Sequence, residues 1–480
     1  MPPLPEFEKV SVISDLHMGG QQGFQIFTSG KLLAAFIDQL TSGPPGPSAL
    51  VLNGDTVDFL AARNPKYFDP EGAVEKLKAI MTDAAFKPVW DSLRLYLANP
   101  QRTLILTLGN HDIELAVPWV REHLIAELTK GNDAARARVI TSFDGAGFAC
   151  TVGGAGVLCI HGNEVDDWNV TDYEALRRNI CDEVQGRPSL VEWIPNAGTK
   201  LVIDVMNRIK ARYAFIDLLK PENQAAVRVL VALNPDLRPV LTEIAGVARK
   251  RIWDSARRAI GLLGAGESEG PTLTVPSARK PMPRDVAGLL ERTEQRFTDG
   301  VDPVDIVNFS QSQMLGVWDA LASGLMLDPP YKIAFEAIKE VAHDDTFNTN
   351  CADAAFEAID ALAGSGFTFV IAGHTHLARD LGRRKRSGIY YNSGTWADLI
   401  RLTPDQLASA DAFQPVFEKL KSAKTVTDLG DLSNARPTVV TISKEQLETK
   451  AALQQVYWTA SGGVELGEVD GKDTHANNPA

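Results

Sequence analysis

Short apolar runs alternate with amphipathic stretches through the first 160 residues, and each run stops at a polar cluster. The run at 10–13 predicts a strand ending at Ser14 and Asp15. A stretch at 31–40 places Leu32, Leu33, Phe36, Ile37 and Leu40 at helical spacing. The Gly/Pro-rich segment 43–47 is a loop. Strands are predicted at 49–52, 104–108 and 157–160, ending at Gly54-Asp55, Gly109-Asn110-His111 and His161-Gly162, and a helical region at 74–98. A fifth strand, 367–371, ends at Gly373-His374. Strands alternating with helices indicate an α/β sheet, and ligand sites in such folds gather at the carboxyl ends of strands.

More than 200 residues separate His161 from His374, where one α/β unit would suffice. Helical spacing recurs there: Leu201, Val205, Ile209 and Tyr213 within 200–215, then 225–233, 240–263 and 304–342. The Gly/Pro/Ser-rich stretch 264–288 reads as a flexible linker. Residues 171–344 are therefore expected to form a mainly helical inserted cap. The core would be discontinuous, at 1–170 and 345–460. Strands at 389–391, 438–442 and 455–459 are expected to build a second sheet, and 461–480 a disordered tail.

Composition narrows the class. The net charge of −13 disfavours a protein that coats nucleic acid. Within 200–260, however, twelve Lys/Arg stand against six Asp/Glu, with Arg249, Lys250 and Arg251 consecutive. This is either a solvated helical face or a basic lid over an anionic substrate or lipid surface. Four scattered cysteines without a CxxC pair suggest neither a disulfide framework nor a zinc ribbon. The start has no signal-peptide character, and no run of ~18 apolar residues occurs. A cytoplasmic protein without a transmembrane segment is expected, its oligomeric state open.

Five of the eight histidines lie in the strand-end clusters. Asp15 and His17 can point to one side of an extended segment and reach one cation. Asp55 could bridge two cations, or cap a helix. Asp58 could orient a neighbour. Asn110 offers a neutral ligand oxygen, and His111 suits proton transfer near neutral pH. Asp112 could fix the His111 tautomer or cap a turn. His161 adds one imidazole, and His374 and His376 add two at i, i+2.

The ordered series DxH, GDxxD, GNHD, H, GHxH resembles the calcineurin-like, or binuclear, metallophosphoesterases over about 1–170 and 345–400. The resemblance implies a two-sheet β-sandwich flanked by helices, with two divalent ions at the strand ends. Asp15, His17 and His376 would bind one ion, Asp55 would bridge, and Asn110, His161 and His374 would complete the other. His111 would face the substrate as a catalytic residue with Asp112 beside it, and Asp58 would support the ligands from behind. The mixed N/O set suits Mn²⁺ best, with Fe or Zn²⁺ as alternatives. The activity implied is hydrolysis of a phosphodiester or monoester in a small molecule or lipid, by a hydroxide shared between the ions.

Ser14-Asp15-Leu16-His17-Met18 and Asn392-Ser393-Gly394-Thr395-Trp396 are similar to the branch that cleaves a UDP-diacylglucosamine lipid. That branch typically has Arg at the position of His111, which favours a general phosphoesterase. A nuclease and a catalytically inactive scaffold of the same fold are further alternatives. The cap would set specificity and could touch a membrane surface.

Overall fold

The computed structural model describes residues 4–62, 65–188, 193–207, 210, 212–219, 229, 329–341, 347–446 and 448–469. The linker 264–288 and the Arg249–Lys250–Arg251 cluster lie outside them.

Two β-sheets pack face to face between helices. One has seven strands in the order β15-β14-β13-β2-β3-β4-β5. Its parallel centre is β2 (Lys9–Ile13), β3 (Ser48–Asn53), β4 (Arg102–Thr107) and β5 (Val139–Ser142). The antiparallel strands β13 (Thr438–Glu445), β14 (Glu448–Trp458) and β15 (Val464–Glu468) extend it beyond β2. The other sheet has six strands: β1 (Glu6–Phe7), β6 (Phe148–Val152), β7 (Ala155–Cys159), β8 (Phe369–Ala372), β10 (Ile389–Asn392) and β9 (Arg379–Gly382). Two short strands, β11 (Leu399–Ile400) and β12 (Ser433–Asn434), pair separately.

The apolar runs follow from burial on both faces. Val10, Val12, Val51 and Ile105 meet Val152, Val157, Ile371 and Tyr391 between the sheets. On the other face, Leu50, Leu52, Leu104 and Leu106 meet Leu33 and Phe36 of helix Gly30–Thr41 and Leu93 and Leu97 of helix Lys87–Ala98. Phe356 and Ile359 of helix Ala354–Leu362 cover Val370 and Tyr390 behind the six-stranded sheet. The result is the expected sandwich flanked by helices.

Several expectations change. The 74–98 region is two helices, Ala73–Thr82 and Lys87–Ala98, because the chain turns extended at Asp83 and Pro88 restarts the helix in its first turn. The late strands do not form a sheet of their own: 389–392 joins β8, whereas 438–445 and 448–458 extend the first sheet. Residues 464–468, expected in a disordered tail, form β15, since Val464 and Leu466 pack on the helix-side core.

In the segment 171–344, expected to be a cap, helix Tyr173–Val184 places Leu176 in the helix-side core. The expected 200–215 helix is instead a short turn, Ala197–Lys200, that widens into a π-helical segment, Leu201–Met206. Leu201, Phe215 and Leu218 share a separate core with Phe335 of helix Pro330–Val341 and with Phe413 and Leu420 of helix Ala410–Ser422. Among the described residues, no helix is long and apolar enough to cross a membrane.

Candidate metal centre

The loops after β2, β3, β4, β7 and β8 converge at one edge of the sandwich. Asp15, His17 and His376 form one group of potential ligand atoms, and Asp55, His161 and His374 another. His17 also groups with Asp55 and His111, so the clusters are contiguous.

Backbone geometry sets these side chains. Asp15, His17, Asp55, His374 and His376 all have φ between 48° and 69°, and they are five of the seven non-glycine residues with positive φ among those described. Such conformations are costly for branched or bulky residues and persist where surroundings enforce them, often at functional sites. Close approach explains the preceding glycines. A Cβ on Gly109 would meet the Asp55 carboxylate and stand 2.5 Å from its backbone nitrogen, and one on Gly373 would meet Ser14 and Asp15.

Asp15 is fully buried. Its carboxylate accepts from the His374 N–H at 2.9 and 3.1 Å and from the Ser14 hydroxyl. Its Oδ1 is 3.3 Å from His376 Nε2, which lies 3.0 Å from His17 Nε2. Asp55 is central to the other group: Oδ1 accepts the His111 N–H at 2.8 Å, and Oδ2 faces His161 Nε2 at 3.2 Å and His17 Nε2 at 3.7 Å. Burial works to raise both carboxyl pKa values, but neighbouring imidazoles outweigh it and hold both groups below their ordinary range.

His161 Nδ1 donates to the Asn53 carbonyl at 2.8 Å, which leaves Nε2 facing the cluster. Burial opposes a charge on this ring, yet Asp55 and Asp15 push its pKa up to about 10. A cation among the same groups would compete with that proton for Nε2. His374 Nε2 is 2.8 Å from Asp166 Oδ2. Asp166 also accepts from the Trp168 N–H and the Asn169 amide, which fixes it at the rim.

Asp112 and Asp58 point in different directions. Asp112, expected to be catalytic beside His111, directs one carboxylate oxygen to the Gly109 N–H at 2.7 Å and the other to the Thr56 N–H at 2.8 Å. It ties the β3 and β4 loops together. Burial first, then Asp55, pushes its pKa up to about 7. Asp58 instead places Oδ1 3.2 Å from His111 Nδ1 and Oδ2 3.7 Å from His17 Nδ1. Burial is outweighed there by the two imidazoles, and its carboxyl stays well below the ordinary range.

The sequence reading missed Asp166 and the hydroxyl bracket behind Asp15. Asp166 sits in an irregular polar loop with no periodic signal. Thr395 Oγ1 donates to the Asp15 carbonyl at 2.7 Å, Ser14 and Ser393 hydroxyls are 2.8 Å apart, and Asn392 Nδ2 donates to the Gly373 carbonyl at 2.7 Å. The 392–396 segment thereby links the strand ends carrying Asp15 and His374. In the sequence it stood out only by its similarity to one branch of the family, which does not disclose these contacts.

The donor set fits divalent cations. Asn110 is buried, and its Oδ1 has no hydrogen-bond partner among the described residues. Such an oxygen beside carboxylates and imidazoles suits a Lewis acid that accepts mixed N and O ligands. A cleft opens over the cluster. Beyond the site residues, it is lined by Ile26, Ala61, Asn169, Val202, Asn207 and Asp217, the last three from the segment expected to form the cap.

No curated protein matches the chain. A model of the calcineurin-like phosphoesterase family matches residues 8–223, which supply Asp15, His17, Asp55, Asn110 and His161. His374 and His376 reach the same site from beyond that range, and the chain carries a calcineurin-like phosphoesterase domain.

Proposed function

We propose that the chain is a phosphoric ester hydrolase that uses two divalent ions. The observation that carries this reading is the placement of Asp55 between two contiguous ligand groups, each within reach of its carboxylate. Asp15, His17 and His376 would hold one ion, and Asn110, His161 and His374 the other, with Asp55 shared. When bound, the ions supply charge for the phosphoryl oxygens and make water nucleophilic near neutral pH.

The protein's own groups do the rest. Asp58 faces His111 Nδ1, directing the imidazole edge opposite toward the cleft. From there His111 would donate a hydrogen bond to a phosphoryl oxygen, or a proton to the leaving oxygen, a role typically worth ~10²–10⁴ in rate. Asp166 would hold the His374 ring in one orientation. Asp112 would keep the Asp55 and Asn110 loops in register through Thr56 and Gly109.

Manganese fits the mixed donor set best in this reading, with iron and zinc as alternatives. A panel of chromogenic phosphate mono- and diesters, assayed with Mn²⁺, tests it. Metal-dependent turnover of one class supports it, and metal binding with no turnover of any ester favours an inactive scaffold. Salt-sensitive cleavage of DNA would instead favour the nuclease alternative.

The insert is proposed to choose the substrate, since Val202, Asn207 and Asp217 line the cleft. Replacing Arg249, Lys250 and Arg251 with Ala tests whether its basic cluster contributes. A substrate lid requires a higher KM for a large anionic ester and little change for a small one. Hydrolysis of a UDP-diacylglucosamine-type pyrophosphate is the alternative suggested by the 14–18 and 392–396 segments. His111 favours the simpler ester.

A further inference from the structure

We propose that the cavity at the opposite end of the seven-stranded sheet binds a small organic oxyanion, a carboxylate or phosphate head on a short apolar body. The cavity measures about 300 Å³ and is lined by Lys9, Ser11, Tyr96, Arg102, Ser443 and Leu466, among others. Lys9 begins β2, whereas Asp15 follows its other end. The two sites are therefore about 20 Å apart at ~3.3 Å per residue.

The strand pattern marks the place. Val10 and Val12 point between the sheets, so Lys9 and Ser11 point to the helix layer. Leucines fill that face on β3 and β4. At its near end, Lys9 is flanked in register by Ser48 on β3 and Ser443 on β13. A polar patch thus interrupts an apolar layer where a cavity opens.

The patch carries two cations, Lys9 and Arg102, that no carboxylate pairs with among the described residues. Arg102 is 1% exposed. Its guanidinium donates to the carbonyls of Leu40 (3.0 Å), Gly46 (3.0 Å), Gly43 (2.8 Å) and Pro44 (3.0 Å), and so shapes the loop that walls the cavity. These are dipoles, and no carboxylate pairs with it among the described residues. The Lys9 ammonium has neither an ion pair nor a side-chain hydrogen bond among them. Burial first, and Arg102 second, lowers its pKa. The acid on the wall, Glu8, is exposed, as is the neighbouring Lys444.

Two partly or wholly desolvated cations facing one cavity are relieved by an anion that pairs with Lys9 and hydrogen-bonds nearby hydroxyls. Phe36, Leu40 and Leu466 supply apolar wall for the rest of the ligand.

The test titrates the metal-loaded full chain with hexanoate and, separately, inorganic phosphate. Two readouts are used: the ¹³C resonance of reductively methylated Lys9, and calorimetry. The expected result is a saturable shift of the Lys9 resonance. Lys9→Met should weaken binding about tenfold or more, and Lys9→Arg should retain it. A response to hexanoate supports an oxyanion with an apolar body, whereas a response to phosphate alone overturns that proposal in favour of free phosphate. Unchanged hydrolysis of a chromogenic ester by Lys9→Met shows that the fold and the metal centre are intact. The proposal is overturned if neither anion shifts the Lys9 resonance. It is equally overturned if Lys9→Met binds as tightly as the parent.

Discussion

His17 and His376 bring their Nε2 atoms to 3.0 Å across 359 residues of sequence. Both rings are almost fully buried, and Asp15 Oδ1 stands 3.3 Å from His376 Nε2. Two imidazole nitrogens and a carboxylate oxygen pointing at one another have more lone pairs than protons to share. This convergence underlies the prediction for Asp55, the acid adjoining it.

Asp55→Asn preserves shape but removes the charge that serves both ligand groups. Elemental analysis of protein expressed with Mn²⁺ should approach two ions per chain for the parent and at most one for the variant. The same metal content in both would remove Asp55 from the bridging role.

His111→Ala should lower kcat by ~10²-fold or more while metal content stays unchanged. Asp58→Asn should produce a smaller fall in kcat with KM nearly constant, because it acts through the His111 ring. Loss of metal in the His111 variant would instead make that residue a ligand.

Gly109→Ala should disrupt the site from the backbone. The added methyl overlaps the Asp55 carboxylate and crowds its backbone nitrogen, a contact that no side-chain rotation relieves. A destabilisation of ~1–3 kcal/mol is expected, with lower metal occupancy. Thermal melts with and without metal would separate the two effects. A melting temperature equal to the parent's would contradict the close packing.

Glu114 gives a pH-dependent test of the core. Burial pushes its pKa up to about 7 from an ordinary 4.5, and its Oε2 has no hydrogen-bond partner among the described residues. Between these values the unfolded chain ionises first, so stability falls as pH rises through the window. Glu114→Gln should be more stable than the parent above pH 7, by up to an order of ~3 kcal/mol. The gain should vanish below about pH 4. Urea denaturation at pH 4 and pH 8 checks this, and an equal gain at both would exclude titration as the cause.

The strand ends were readable because buried parallel strands are short apolar runs, and each of the five stops abruptly at polar residues. The seven expected ligands fell on those stops; six of them lie in contiguous groups of potential ligand atoms, and Asn110 lines the cleft beside them. What could not be read is direction. Asp112 adjoins His111 in sequence, yet its carboxylate turns back to two backbone N–H groups, while Asp58 reaches His111 from the loop after β3. The break at 83–86 was hidden because both helices bury the same kind of face. β15 was missed because its alternation, Val464 and Leu466, is too brief to stand out beside glycines.

The position of β2 has a consequence for biosynthesis. Its partner on one side, β3, emerges from the ribosome within some forty residues, but its partner on the other side, β13, begins only at Thr438. Until then the most central strand of the larger sheet has an open edge, and His376 joins Asp15 and His17 only after most of the chain has been made. Such long-range closure makes folding slow and leaves pairing surface exposed on the way. The proposed first ion site would therefore be completed late in synthesis, and a shortage of metal would be felt by a nearly finished chain rather than by a growing one.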